Sequence, residues 1–171
     1  MKNKGKILIV LTILLLLTGC SDKRTALDSN NFVAISNSYN YTPTNVTENY
    51  DYANGAYVIK ESGIYVFYIE GKDKYAIQGT FLDQCINIYK LAGIAEETTT
   101  SADDDSPINT TTTTTIAYKK TLKGGEGWQY LKVTTDDKFY YASWIDKTYI
   151  YIEADASKTK DMEKFIDSLG Y

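Results

Sequence analysis

The sequence predicts a single α+β domain: an antiparallel sheet of about six to seven strands, two to three helices packed on one face, and a C-terminal helix. Three observations predict this class. Four β-rich runs in the second half are separated by short turn signals, and two more form a hairpin in the first half. The chain also closes with apolar residues at helical spacing. Helices covering one face of an antiparallel sheet are a common α+β arrangement.

The first helix is expected near residue 30. Asp28 or Ser29 can cap it, because a short side-chain oxygen accepts from the free backbone N–H groups of a first turn. Phe32, Ile35 and Tyr39 then follow at spacings of three and four and share one face. The sequence therefore predicts a short helix at the start of the domain.

The predicted hairpin follows an ambiguous segment. Residues 41–55 fit either an edge strand or a loop, since Pro43 permits only an edge position. Residues 61–63 are a turn signal between two β-rich runs, and the second run, 64–69, is apolar or aromatic on both faces. That second strand is predicted to be central in the sheet.

A second helix is predicted after the hairpin. It can begin at Asp73, or two turns later where Thr80 and Asp83 could form a capping pair, and Gly93 is well placed to end it. Its predicted inward stripe consists of Leu82, Cys85, Ile86 and Tyr89.

The second half begins with a change in composition. Residues 96–115 are rich in threonine and aspartate and are expected to form a low-complexity loop, although the threonines at 110–115 could begin a strand. A four-stranded meander then follows, with turns at 124–125, 136–137 and 146–147. The closing helix has an apolar stripe formed by Met162, Phe165, Ile166 and Leu169.

The first nineteen residues have the pattern of a signal peptide. Three lysines precede residues 7–17, which are apolar except for one threonine. A membrane-spanning helix needs about 20 apolar residues, so this run is too short to cross a bilayer and has the size of a signal-peptide core.

The leader ends in Leu17-Thr18-Gly19-Cys20, which resembles the lipobox of bacterial lipoproteins. The resemblance implies cleavage between Gly19 and Cys20 and a diacylglyceryl group on the Cys20 sulfur, which anchors the chain to the cell membrane on its extracytoplasmic side. Two acyl chains give stable anchoring where one does not. The expected organisation is a signal peptide at 1–19, a lipid-anchored tether at 20–27 and the α+β domain at 28–171.

The mature region is also similar to small uncharacterised lipoproteins of Gram-positive bacteria that share a helix–sheet–helix plan and often end in LGY. This similarity assigns no functional residue to the chain.

Charge argues against nucleic acid as a partner. The leader holds three of the 18 basic residues and none of the 22 acidic ones, so the mature chain has a formal net charge of −7. Phosphate contacts need lysine and arginine patches. The partners expected are the membrane, through the lipid, together with an envelope protein or a glycan.

Residue usage excludes several chemistries. The chain has no histidine, which excludes Ser-His-Asp and Cys-His catalysis and histidine-ligated zinc. With Cys20 lipidated, Cys85 has no disulfide partner, and its place in an apolar stripe predicts an inert, buried thiol. No catalytic residue, cofactor or metal is predicted, and the aspartates at 103–105 are expected to be solvated charge rather than a calcium site.

The predicted binding surface is aromatic. If helices cover one face of the sheet, alternate strand positions leave several rings on the other, where exposed aromatic patches mark binding sites. The alternative is that the rings pack across strands and stabilise the sheet. The residues concerned are Trp128, Tyr130, Tyr140, Trp144, Tyr149 and Tyr151.

These observations predict a non-catalytic binding protein held at the membrane. One alternative is an enzyme acting on cell-wall glycan through two carboxylates about 5–10 Å apart, for which Glu70, Glu153 and Asp155 are the nearest candidates. The other is a regulatory lipoprotein acting on a membrane protein through an exposed edge strand or apolar patch.

Overall fold

The computed structural model describes residues 23–94 and 117–171. They form one α+β domain with a seven-stranded antiparallel sheet and three α-helices, as the sequence predicts. The strands are β1 (Thr44–Asn45), β2 (Ala53–Glu61), β3 (Ile64–Gly71), β4 (Tyr118–Gly125), β5 (Trp128–Thr135), β6 (Lys138–Ile145) and β7 (Thr148–Asp155). The helices are α1 (Ser29–Ser38), α2 (Lys74–Leu91) and α3 (Thr159–Ser168), with short 3-10 turns at Thr47–Asn49 and Ala156–Lys158.

The strand order is β1-β2-β3-β7-β6-β5-β4. The hairpin from the first half and the meander from the second meet where β3 pairs with β7, with Val66 opposite Ile152. Because β3 lies between β2 and β7, its predicted central position is confirmed. The ambiguous segment, 41–55, contains the two-residue edge strand β1, a 3-10 turn and the first three residues of β2.

Local signals position the helix ends and turns. Asp28 accepts from the Asn31 amide at 2.8 Å and caps α1, and Asp73 accepts from the Ala76 amide at 3.2 Å. The second helix therefore begins at the earlier of its two predicted starts. Gly63, at φ +68°, makes the β2–β3 turn, where an added Cβ would lie 2.0 Å from an Asp155 carboxylate oxygen. The turn expected at residues 124–125 lies at 126–127.

The helices do not all lie on one face, which differs from the predicted placement. Helices α1 and α3 pack on what we call the two-helix face, where Phe32 and Phe165 meet Val66 and Ile152. Helix α2 packs on the opposite face, which we call the α2 face. There Phe81 belongs to a cluster with strand residues such as Leu131 and Tyr149. The central strands are apolar on both sides, so both faces require cover.

Helix α2 is rotated relative to its predicted orientation. Ile77, Phe81 and Ile88 are buried, whereas Leu82 and Ile86 are 45% and 50% exposed. Apolar residues occur nearly all round this helix, so periodicity alone did not fix its inward side. In α3 the predicted stripe is confirmed, since all four of its residues are buried: Met162, Phe165, Ile166 and Leu169.

Candidate functional site

The six aromatic residues predicted as a binding surface do not share one face. Trp128 and Tyr130 lie on the two-helix face. The other four lie on the α2 face: Tyr140, Trp144, Tyr149 and Tyr151. Only Tyr130 and Trp144 are half-buried, and the remaining rings are buried. The structure thus divides the predicted surface, and Tyr149 and Tyr151 line a groove beside α2.

The groove runs between α2 and the strands β3 and β7 and has a volume of about 380 Å³. We call it the α2 groove. Four rings line its strand side: Tyr65, Phe67, Tyr149 and Tyr151. Its helical side consists of Thr80, Gln84, Asn87 and Leu91, and Glu153 lines the end that lies near the end of β7. Of the residues that line the groove, Tyr149 and Tyr151 belong to the aromatic binding surface predicted from the sequence.

The rings form an aromatic floor made of two cross-strand pairs. The Tyr65 and Tyr151 ring centroids are 6.0 Å apart, and those of Phe67 and Tyr149 are 6.2 Å apart. Both pairs join the strands β3 and β7, so strand pairing fixes their spacing. Tyr65 and Phe67 were missed as site residues, although their alternation with Val66 and Tyr68 placed them on one side of a strand.

The helical wall offers polar groups. The Thr80 hydroxyl is used within the helix, since it donates to the Ala76 carbonyl at 3.0 Å. The side-chain amides of Gln84 and Asn87 make no hydrogen bond to any residue within 23–94 or 117–171. Each amide offers two donors and an acceptor to a bound molecule.

Charge is concentrated at one end of the groove. The Tyr151 hydroxyl donates to Glu153 at 3.2 Å, and the Lys138 ammonium lies 3.6 Å from Glu153 and 3.1 Å from Asp155. The hydrogen bond to Asp155 is the main reason that the pKa of Lys138 is raised. Burial raises the pKa of Tyr151 above its usual value, and the nearby Glu153 carboxylate adds to this. The floor therefore stays uncharged at neutral pH beside a carboxylate–ammonium cluster.

The carboxylates considered for glycan cleavage are separated. Glu70 lies on the two-helix side of β3 and accepts from the Ser29 amide at 2.9 Å and hydroxyl at 2.7 Å. Of the three, only Glu153 lines the groove. Glu70 therefore supports the start of α1.

Trp128 and Tyr130 contact an arginine. The Arg24 guanidinium carbon lies 4.2 Å from the Trp128 ring centroid and 5.6 Å from that of Tyr130. Arg24 belongs to the segment expected to be a tether, and Ala26 and Leu27 of that segment also pack against the core. The described part of the segment thus lies against the domain.

Cys85 is partly buried in the α2 face, and burial raises its thiol pKa to about 12. A thiol with so high a pKa is almost wholly protonated at neutral pH and is a weak nucleophile. Within residues 23–94 and 117–171, no group of three or more Cys, Asp or Glu side chains could hold a metal ion.

Several predictions lie outside the described residues: the cleavage site at Gly19 and Cys20, the aspartates at 103–105, and the whole of the low-complexity loop at 96–115. In the described ranges, no helix is long and apolar enough to cross a membrane. Comparison with protein-family models and with curated proteins finds no match for this chain.

Proposed function

We propose that this chain is an extracytoplasmic lipoprotein, anchored through Cys20, that binds a carbohydrate in the α2 groove without cleaving it. The observation that carries the proposal is the groove itself: an aromatic floor facing two amides that have no partner among the described residues. Ligand sites combine apolar walls with a few polar groups that fix orientation. A sugar ring presents an apolar face to such a floor and hydroxyl groups to such amides.

The non-catalytic form of the proposal is supported by the carboxylates. A glycosidase needs two carboxyl groups flanking the bond that breaks. Glu153 is the carboxylate on the groove lining, and it is engaged by Tyr151 and Lys138. Asp155 shares the same lysine. These contacts favour a role for Glu153 and Asp155 as hydrogen-bond acceptors at a charged rim. They do not favour a role as an acid–base pair.

An outer surface of α2 favours a second candidate, a protein partner. Tyr75, Leu82 and Ile86 are 69%, 45% and 50% exposed and follow one another at helical spacing. An apolar stripe of this kind suits a partner helix or groove. This candidate places the binding residues on the side of α2 away from the groove.

Isothermal titration calorimetry with a four-unit N-acetylglucosamine oligosaccharide tests the proposal. We expect Gln84→Ala to weaken binding about tenfold, because one or two hydrogen bonds of about 0.5–1.5 kcal/mol each are lost. Gln78→Ala is the matched control, since Gln78 is an α2 glutamine that does not line the groove.

Equal effects of the two variants, or no binding by the wild-type chain, would contradict the carbohydrate proposal. Binding with release of shorter sugars would favour the enzyme. Loss of a protein partner on Leu82→Ser, with Gln84→Ala unchanged, would favour the second candidate.

A further inference from the structure

The chain is docked to the domain from Arg24 onward. Arg24 stacks on Trp128, and the Tyr68 hydroxyl donates to the Leu27 carbonyl. Ser29 follows, held by Glu70 through its amide and its hydroxyl. Successive contacts over six residues leave this segment little freedom to act as a long tether.

These contacts bring the chain to one end of the sheet. Trp128 begins β5 and lies opposite Ile145, at the end that carries turns 126–127 and 146–147. We call it the Trp128 end. The opposite end carries turns 62–63 and 136–137. An eight-residue strand spans about 25 Å, so the two ends are well separated.

The distance available to the lipid is short. Arg24 lies four positions after Cys20, and a fully extended chain covers at most about 14 Å over that span. If Cys20 carries acyl chains in the bilayer, Arg24 and the Trp128 end must lie close to its surface. A tether of eight residues, as the sequence suggested, would have allowed about twice that distance.

The side chains at the Trp128 end suit a membrane–water interface. Tyr75, at the start of α2, is 69% exposed, and tyrosine is enriched where protein meets lipid headgroups. The exposed charges at this end have both signs and nearly cancel: Lys23, Lys72, Lys74, Lys123 and Lys147 with Asp51, Asp73, Glu126 and Asp146. The acyl groups and the arginine stack, rather than net charge, would therefore hold the end in place.

We propose that the Trp128 end rests on the bilayer, and that the Arg24 stack on Trp128 keeps it there. This rests on the proposed lipid anchor at Cys20. The Glu153 end of the α2 groove then points away from the membrane, because Glu153 lies near the opposite end of β7. Tyr118 also lies at that far end, since it pairs with Thr135 beside the turn 136–137.

Fluorescence quenching of the full-length lipidated protein in phosphatidylcholine vesicles tests the orientation. In a Cys85→Ser background, a thiol-reactive fluorophore is placed at Asp146→Cys in the turn at the Trp128 end, or at Asp137→Cys in the opposite turn as the matched position. With nitroxide-headgroup lipid in the vesicles, we expect at least twofold stronger quenching at position 146. Equal quenching, or stronger quenching at 137, would overturn the proposed orientation.

Two controls separate the anchor from the orientation. If the protein does not float with vesicles, the lipid anchor and the orientation both fail, whereas flotation with equal quenching overturns the orientation alone. Arg24→Ala should reduce the difference between the two positions, while Arg24→Lys, which keeps the charge but loses the planar stack, should reduce it less. An unchanged difference in Arg24→Ala, with native circular dichroism, would overturn the role of the arginine.

Discussion

The two faces of the sheet use the same strands but are covered to different extents. On the two-helix face, α1, α3 and residues 24–27 leave Phe32 and Phe165 wholly buried, and Phe32 stacks on Tyr68 with ring centroids 4.3 Å apart. On the α2 face, one helix leaves Tyr65 and Phe67 half-buried beside a groove. Strand alternation decides which residues share a face, and the number of covering helices decides whether that face closes.

The largest expected effect comes from truncating one ring on each face. Phe165 is wholly buried and packs edge-on against Tyr39 and Tyr41, with a ring-centroid distance of 5.2 Å in each pair. Phe165→Ala should lower the free energy of unfolding by about 3–5 kcal/mol, because it leaves a cavity. Phe67→Ala should cost about 1–2 kcal/mol, since part of that ring already contacts solvent. Urea denaturation followed by circular dichroism measures both, and equal costs would contradict the difference between the faces.

A smaller effect is expected at alkaline pH. Burial raises the pKa of Tyr171 on the two-helix face and of Tyr149 on the floor of the groove. The unfolded chain therefore loses these phenolic protons first, near pH 10. The contribution of the two tyrosines to the free energy of unfolding is thus fully present below about pH 10 and falls as pH rises further. At pH 12 each ring contributes at most about 2–3 kcal/mol to this loss.

Urea midpoints at pH 8 and pH 11.5 measure the alkaline loss. Tyr171→Phe and Tyr149→Phe should each reduce it, and Tyr75→Phe, on an exposed ring, is the matched control. If only Tyr171→Phe reduces the loss, the floor of the groove is more hydrated than the buried position of Tyr149 indicates.

The smallest effect compares two glutamates on opposite faces. Glu70→Ala should cost about 1–2 kcal/mol, because the Ser29 amide at the start of α1 loses its acceptor. Glu153→Ala should change stability by less than about 0.5 kcal/mol, since Lys138 keeps Asp155 as a partner and the pair is partly exposed. Thermal unfolding measures both, and a larger loss for Glu153→Ala would show that the groove rim is structural.

Part of the site could be predicted because it depends on local pattern. Tyr149 and Tyr151 were identified from their strand, and the alternation in 64–69 already separated Tyr65 and Phe67 from their neighbours. The groove itself could not be predicted, because it requires β3 to pair with β7 across about 80 residues. No periodicity within either segment specifies that partner.

The sequence by itself determined the fold class, the hairpin, the meander and the presence of three helices. These follow from side-chain periodicity and from short-range hydrogen bonds such as that of Asp73 to the Ala76 amide. Only the tertiary structure decided that α2 lies opposite the other helices, that Leu82 and Ile86 face outward, and that Arg24 stacks on Trp128. The physical reason is that apolar burial is non-directional: it requires both faces of the sheet to be covered, and packing of the whole chain selects which segment covers each.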